Sequence, residues 1–352
     1  MTGQTVTGQY VHRQAAWAIT VDGVDIANTL RPRLISLDLT EKRGSNADEL
    51  SLVLSDHDGQ LAVPRPGVII AVSLGWQDIG TTNLPQLIDK GRFKVDQLTH
   101  AGTPDTLTIR ARSADLTRAF RKRRTQSWTQ TTLGTILNDL AGRNGLQLKC
   151  SDDKAAVEIA HLAQSNESDA ALIARLGRMN DAVATVKAGA LIFMACGAGI
   201  SPGGEPLGLA TITRRDGDRH TWESAERGSY SGVIAEWHDR AGGQRKKVVV
   251  GDEDNAKKLA RTYATEASAR RAADAEYKRL ERGAAKFSLT LAHGRPDIFP
   301  EKAVSVTGFK PVIDAANWLV DEARHTLNSA GLGSTLQMEL GGSANTQRRA
   351  AT

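Results

Sequence analysis

Apolar and polar residues alternate along the first third of the chain. Trp17, Ile19 and Val21 alternate with Ala18, Thr20 and Asp22, and Asp22-Gly23 follows as a turn pair. Leu34–Thr40 reads Leu-Ile-Ser-Leu-Asp-Leu-Thr, and Leu50, Leu52 and Leu54 alternate with Ser51, Val53 and Ser55 ahead of Asp58-Gly59. An apolar run over Val68–Leu74 ends at Gly75-Trp76. Phe93, Val95 and Leu98 mark the next run, and Leu107, Ile109 and Ala111 alternate with Thr108, Arg110 and Arg112. A period of two sends successive side chains to opposite faces of a strand, so these runs predict a small antiparallel barrel or sandwich over residues 1–115.

The period then changes. Leu133, Ile136, Leu137 and Leu140 recur at helical spacing, with Thr131 or Thr132 as N-cap and Gly145 past the end. Ser168 caps a second helix carrying Leu172, Ile173, Leu176 and Met179, and Val183–Val186 and Leu191–Met194 flank Lys187-Ala188-Gly189 as a hairpin. Residues 116–197 thus read as a small α+β domain. Strands are expected again at Leu209–Thr213, around Trp222 and over Val233–Trp237. An Ala-, Glu-, Arg- and Lys-rich stretch follows and predicts a helix over 251–283, closed by Gly283. The two-residue period returns at Phe287, Leu289 and Leu291, at Val304 and Val306, at Leu319 and Val320, and at Leu336, Met338 and Leu340. Residues 343–352 are polar and read as a flexible tail.

Two distant segments share a pattern. Phe93-x-Val95-Asp96-x-x-x-His100 matches Trp318-x-Val320-Asp321-x-x-x-His325. A strand ending in Gly-aromatic precedes each, Gly75-Trp76 and Gly308-Phe309, and a Thr-Leu strand follows each, Thr106-Leu107 and Thr335-Leu336. An internal repeat defines architecture. The fold class is therefore α+β, mainly β, with two related antiparallel β-barrel domains, a small α+β domain between them and a helix inserted in the second barrel. The second barrel is assigned to 198–250 together with 284–342.

Composition narrows the function classes. The chain has 352 residues, is 40% hydrophobic and 24% charged, and carries a net charge of +5, which excludes wholesale disorder. The longest clean apolar run, Ala190–Cys196, is far below the roughly 20 residues of a membrane-spanning helix, and no secretory signal is visible in the polar first residues. Cys150 and Cys196 cannot make a disulfide framework or a four-cysteine metal site, and the plain expectation is folding in a reducing cytoplasm.

Candidate chemistry is sparse. Gly197-Ala-Gly199-Ile-Ser-Pro-Gly203 imitates a dinucleotide loop, but that loop must open a helix, and Pro202, Gly204 and Pro206 prevent one; Gly197–Gly208 reads as a plain loop. Asp56-His57-Asp58-Gly59 and Asp216-Gly-Asp218-Arg-His220 gather polar groups but read as a turn and a hairpin. His100 and His325 occupy matching repeat positions, which suits packing or hydrogen bonding better than catalysis. Arg118, Arg121, Lys122, Arg123 and Arg124, with Trp128 near, form one basic cluster. DNA phosphates are one partner for it, and a solvated or subunit-contacting linker is the preferred reading. No catalytic, cofactor or metal set is assigned.

Longer blocks carry a resemblance. Val21–Trp76, Gly91–Leu116, Thr131–Leu137, Ser165–Leu176, Ile212–His220 and Ala285–Gly331 resemble, in order, the bacteriophage late control gene D protein family, which is similar to the hub part of type VI secretion spike proteins. One departure is the short segment between Trp237 and Ala264, where relatives can carry a Lys-rich insertion. The resemblance implies a structural, non-enzymatic baseplate hub of a contractile phage tail. It implies a homotrimer of paired β-barrels, joining a sixfold tail tube to a threefold central spike among other baseplate proteins. DNA would pass through the lumen without specific binding. The implied location is the virion's tail baseplate, after assembly in the host cytoplasm, with no membrane insertion and no cofactor. The alternatives are a tail-associated cell-wall hydrolase, for which no spare segment is seen, and a DNA-contacting late-gene regulator, for which no helix-turn-helix signature is seen.

Overall fold

The computed structural model describes residues 12–44, 47–79, 84–113, 119–187, 189–224, 230–239 and 242–341. Arg118 and the tail at 343–352 lie outside the described residues. The first part runs β1 (His12–Val21), β2 (Val24–Asp25), α1 (Ala27–Leu30), β3 (Leu34–Lys42), β4 (Glu49–Ser55), β5 (Ile69–Ile79), β6 (Pro85–Ala101) and β7 (Thr106–Ser113). The alternation predicts the buried face well: Leu37, Leu39, Leu50, Leu52 and Leu54 pack with Trp17, Ile19 and Phe93 in one core. Each buried Leu or Ile contributes about 1.5–3 kcal/mol of transfer free energy.

The middle part runs β8 (Arg123–Thr132), α2 (Leu133–Arg143), β9 (Gln147–Cys150), α3 (Asp152–Ala155), β10 (Glu158–Ser168), α4 (Asp169–Met179), β11 (Ala182–Lys187) and β12 (Ala190–Ala195). Thr132 Oγ1 accepts the Thr135 amide at 3.2 Å and Ser168 Oγ accepts the Ala171 amide at 3.2 Å, so both helices start at the residues read from sequence. Their apolar stripes meet Leu191 and Phe193 in a separate core. The β8–β10 ribbon, polar along both strands, gives no periodic signal and is a structural finding.

The last part runs β13 (Leu209–Thr213), β14 (Gly217–Ser224), β15 (Gly232–Asp239), β16 (Gln244–Gly251), β17 (Ala256–Tyr263), α5 (Glu266–Gly283), β18 (Ala285–Leu291), β19 (Ala303–Thr307), α6 (Pro311–Asp314), β20 (Trp318–Asn328) and β21 (Gly331–Leu340). Two expectations are corrected here. The helix expected over 251–283 begins only at Glu266, where Thr265 caps it, because Ala256–Tyr263 is a strand. Strand β15, expected in the second barrel, lies instead between antiparallel β16 and parallel β17 in a sheet of its own. The reason is a local core: Val233, Ala235 and Val248 bury against Ala269 and Ala273 of α5. Charged residues along β16 and β17 mask this pattern in the sequence.

The remaining strands form one 13-stranded sheet in which the repeat becomes visible. In the first part the neighbours run β3-β4-β7-β6-β5-β1, and in the last part β14-β18-β21-β20-β19-β13. Phe93 lies opposite Ile70 and Trp318 opposite Val304. Against β7 the pairing of β6 slips between Val95 and Gln97; against β21 the pairing of β20 slips between Val320 and Glu322. A bulge therefore falls at Asp96 in one copy and Asp321 in the other. The registers set Ile109 opposite Leu98 and Leu336 opposite Ala323, so Thr108-Ile109, not Thr106-Leu107, corresponds to Thr335-Leu336. The offset of two residues leaves each side chain on its original face. The copies differ at one edge, where β1 is antiparallel to β5 and β13 parallel to β19. They join where Glu322–Asn328 of β20 pairs antiparallel with β3.

Candidate functional site

The joint between the two copies and the middle part encloses a group of charges centred on buried Glu41 and Lys90. Glu41 continues the inward phase of Leu37 and Leu39 on β3 and is 2% exposed. Lys90 of β6 pairs with it and donates to the Pro296 carbonyl at 2.9 Å, and Lys187 of β11 approaches it to 3.5 Å. His325 of β20 completes the group, its Nε2 3.3 Å from Glu41 and its Nδ1 2.7 Å from Ser334 Oγ. Burial pushes the Glu41 carboxyl upward, but His325, Lys90 and Lys187 outweigh it and hold the group at about 2. Burial also pulls both Lys90 and His325 below their ordinary values, against the pull of Glu41.

A second charged group lies beside the first. Arg43 contacts Glu301, Asp321 and Glu339, and Arg282 at the end of α5 forks onto Asp181, with Nη1 to Oδ2 at 2.9 Å, while its Nε donates to Glu339 at 3.1 Å. Arg43 belongs to the first copy, Asp181 to the middle part, and Glu301 and Glu339 to the second. Bidentate guanidinium–carboxylate pairs fix direction as well as distance, so this group sets the three parts at defined angles. Cys196 is partly buried against Glu301, and burial pushes its thiol up to about 12, which leaves it unreactive near neutrality. Cys150 is raised to about 11, also by burial.

Ser334, His325 and Glu41 imitate the order of a serine-hydrolase relay. Access decides against that use. Ser334, His325 and Glu41 are 2%, 0% and 2% exposed, and the adjoining cavity of about 380 Å³ is lined by Glu41 but by neither His325 nor Ser334. Ser334 Oγ is also committed to the Arg295 amide at 2.9 Å. The arrangement holds parts together and offers no place for a substrate.

The residues singled out from sequence fall elsewhere. Asp56–Gly59 is the turn expected, with Gly59 in the left-handed region at φ +65° and Asp58 bonded twice to Arg33, at 2.7 and 2.6 Å. Asp56 also meets His100 at 3.2 Å, while His57 Nδ1 lies 3.4 Å from Ser55 Oγ. Asp216 does not close a hairpin: it caps a short 3-10 turn through Thr213, and β13 and β14 pair with different partners because the repeat separates them. Gly197–Gly208 is a loop, tied by the Gly197 amide to Glu301 at 2.6 Å. Of the basic cluster, Arg121, Lys122 and Arg123 are exposed, whereas Arg124 turns inward to within 3.6 Å of buried Asp169 in its own domain. Trp128 is buried and donates to Asp139 at 3.0 Å, so it does not stand beside the cluster as a stacking platform. Among the described residues no group of three or more His, Cys, Asp and Glu could hold a metal ion.

The buried charges escaped the sequence reading because they come from positions up to about 300 residues apart. The available signal was phase: Glu41 and His325 each stand in the apolar phase of an alternating strand.

Comparison with known proteins decides the family. The family described as phage tail baseplate hub (GPD) matches residues 49–331. The chain belongs to that family. A probable baseplate hub protein of Escherichia phage 186 is 38% identical over 366 residues, covering 92% of both chains. The hub protein described here is accordingly a structural component of the virion's tail baseplate. Its fold is shared by the 43 kDa tail protein of prophage MuSo2 from Shewanella oneidensis, with a TM-score of 0.66, 15% identity and coverage of 92% of this chain and 98% of that one. A component of the Escherichia coli type VI secretion system is similar in fold at a TM-score of 0.53 and 12% identity, covering 91% of this chain and 76% of that one.

Proposed function

We propose that the hub is a homotrimeric adaptor. Each protomer would contribute two related β-barrels, so that three protomers present six barrels to a sixfold tail tube and a threefold face to a central spike. The observation that carries this reading is the duplicated six-strand order with its matched bulges at Asp96 and Asp321. The first barrel comprises β1 to β7; the second comprises β13, β14 and β18 to β21. The middle α+β part and the β15–α5 segment are appended to them.

Mechanically, a hub passes force from tube to spike when the sheath contracts. The contacts of Arg43 with Glu301 and Glu339, and of Glu41 with His325, suit that task, because they bridge the two copies and resist rotation of one against the other. The chemistry is association, and DNA crosses the lumen without sequence recognition. Light scattering on the purified protein tests the reading: a mass of three protomers is expected. A monomer at every concentration would overturn it, as would hydrolysis of peptidoglycan that a fold-preserving substitution abolishes.

A further inference from the structure

The joint between the two copies in one chain has a vacant counterpart. In the second copy, β20 gives one edge to β21 and the other to β19 near Trp318; from Glu322 onward that second edge is filled by β3 of the first copy. In the first copy, β6 gives one edge to β7 and the other to β5, whose pairing ends at Lys94, with the last backbone bonds on that side running from Val95 to Gly67 and Val68. Among the described residues no strand covers that edge from Gln97 to Ala101. The counterpart of β3 in the second copy is β14. It pairs with β18 alone and stands at an end of the sheet. Each chain thus carries both halves of the joint it already makes once, unused.

Exposure follows the same rule. His325 is fully buried, whereas the side chain of its counterpart His100 is 49% exposed. Leu39 is fully buried, whereas its counterpart Trp222 is only half-buried, against the core of the second copy. Gln97, Thr99 and Ala101 are exposed, and so are Thr221, Glu223 and Ser224. Uncovered strand edges of this kind are templates for pairing.

We infer that β14 of one protomer pairs antiparallel with the Gln97–Ala101 edge of β6 in the next, reproducing the β3–β20 joint between chains. The inference rests on the trimer reading and supplies its interface. The partner is a second copy of this chain. The two edges differ, so the contact is head-to-tail, and three such contacts close a ring in which joints within and between chains alternate.

The repeat fixes the register. Within the chain Ala323, Arg324, His325 and Thr326 face Glu41, Thr40, Leu39 and Asp38. Transfer through the shared pairings with β4 and β18 sets Leu98, Thr99, His100 and Ala101 opposite the neighbour's Ser224, Glu223, Trp222 and Thr221. Trp222 would then pack beside His100, as Leu39 packs beside His325.

Cysteines at Thr99 and Glu223 test the register, since both sites are exposed and facing Cα atoms in an antiparallel pair lie about 4.5–5.5 Å apart, within disulfide reach. Seven strand steps of about 4.8 Å separate β6 from β14 within one chain, so the bond forms between chains. Mild oxidation of Thr99→Cys/Glu223→Cys should give covalent dimers and trimers on a non-reducing gel. Neither single variant should do so, nor should Thr99→Cys/Arg219→Cys, whose sites are out of register by four residues, about 13 Å. A trimer by light scattering without this cross-link overturns the strand pairing and leaves the trimer standing. A monomer without cross-link overturns both, and equal cross-linking of the out-of-register pair overturns the register.

Discussion

Replacing Lys90 by methionine tests the junction most directly. Methionine keeps much of the length and removes the charge. Lys90 is 3% exposed and faces Glu41, and its removal leaves that carboxylate, itself only 2% exposed, without its nearest cation. Breaking one side of a buried pair typically costs about 3–5 kcal/mol. Two features place the cost here. Lys187 remains 3.5 Å from Glu41 and supplies part of the lost charge, which favours the lower end. The Pro296 carbonyl loses its donor, which adds about 1 kcal/mol. The expectation for Lys90→Met is a loss of about 3–4 kcal/mol in urea unfolding followed by circular dichroism. Glu41→Leu alone should cost a similar amount, since Lys90 is then the unpaired charge. The double variant should recover most of the loss, because apolar side chains of similar volume tolerate burial that a lone charge does not. If the double variant is destabilised by the sum of the two single losses, the charges do not interact as described. A single loss below about 1 kcal/mol would likewise refute the argument.

Three further outcomes are expected. Trp318 is 1% exposed, donates to the Ile313 carbonyl at 3.0 Å and lies 5.1 Å from the Phe287 ring, so Trp318→Ala should cost about 3–5 kcal/mol; an unchanged melting temperature would contradict its core role. Acid should destabilise the fold in two windows. His325 is held below its usual 6.5, so the unfolded chain takes up a proton that the folded chain refuses, and stability falls as pH drops below about 6.5. Glu41 is held down at about 2 against an ordinary 4.5, and its contribution is lost as pH falls from 4.5 towards 2; a Glu41→Gln variant should show a flatter melting profile there. Changing Arg121, Lys122 and Arg123 together to Gln should leave stability within about 0.5 kcal/mol, whereas Arg124→Gln should lower it measurably by removing a cation beside Asp169.

Legibility in the sequence followed burial. Strands with one solvated and one buried face announce themselves by alternation, and β3, β4, β7 and β18 are found where apolar residues recur at every second position. Caps announced α2 and α4, because Thr132 and Ser168 satisfy amides that would otherwise be orphaned. What escaped had its pattern hidden by charge. Arg123–Thr132 and Ala256–Tyr263 carry long polar side chains on both faces, and the latter has the composition of a helix. The junction escaped for another reason. Glu41, Lys90, Lys187 and His325 meet only through tertiary structure, and no local spacing encodes their meeting.

The excursion from Gly232 to Gly283 separates the second and third strands of one duplicate. Its counterpart in the other duplicate, between β3 and β4, spans only residues 43–48. Duplication by itself makes two equal modules, and a ring of equal modules looks the same at every step. An appendage grown on every second module makes alternate positions distinguishable. In the proposed ring, six near-equivalent places would face one way while three identical outgrowths stand on them. A single gain of sequence at one tolerant connection would then be enough to turn a hexagon into a triangle.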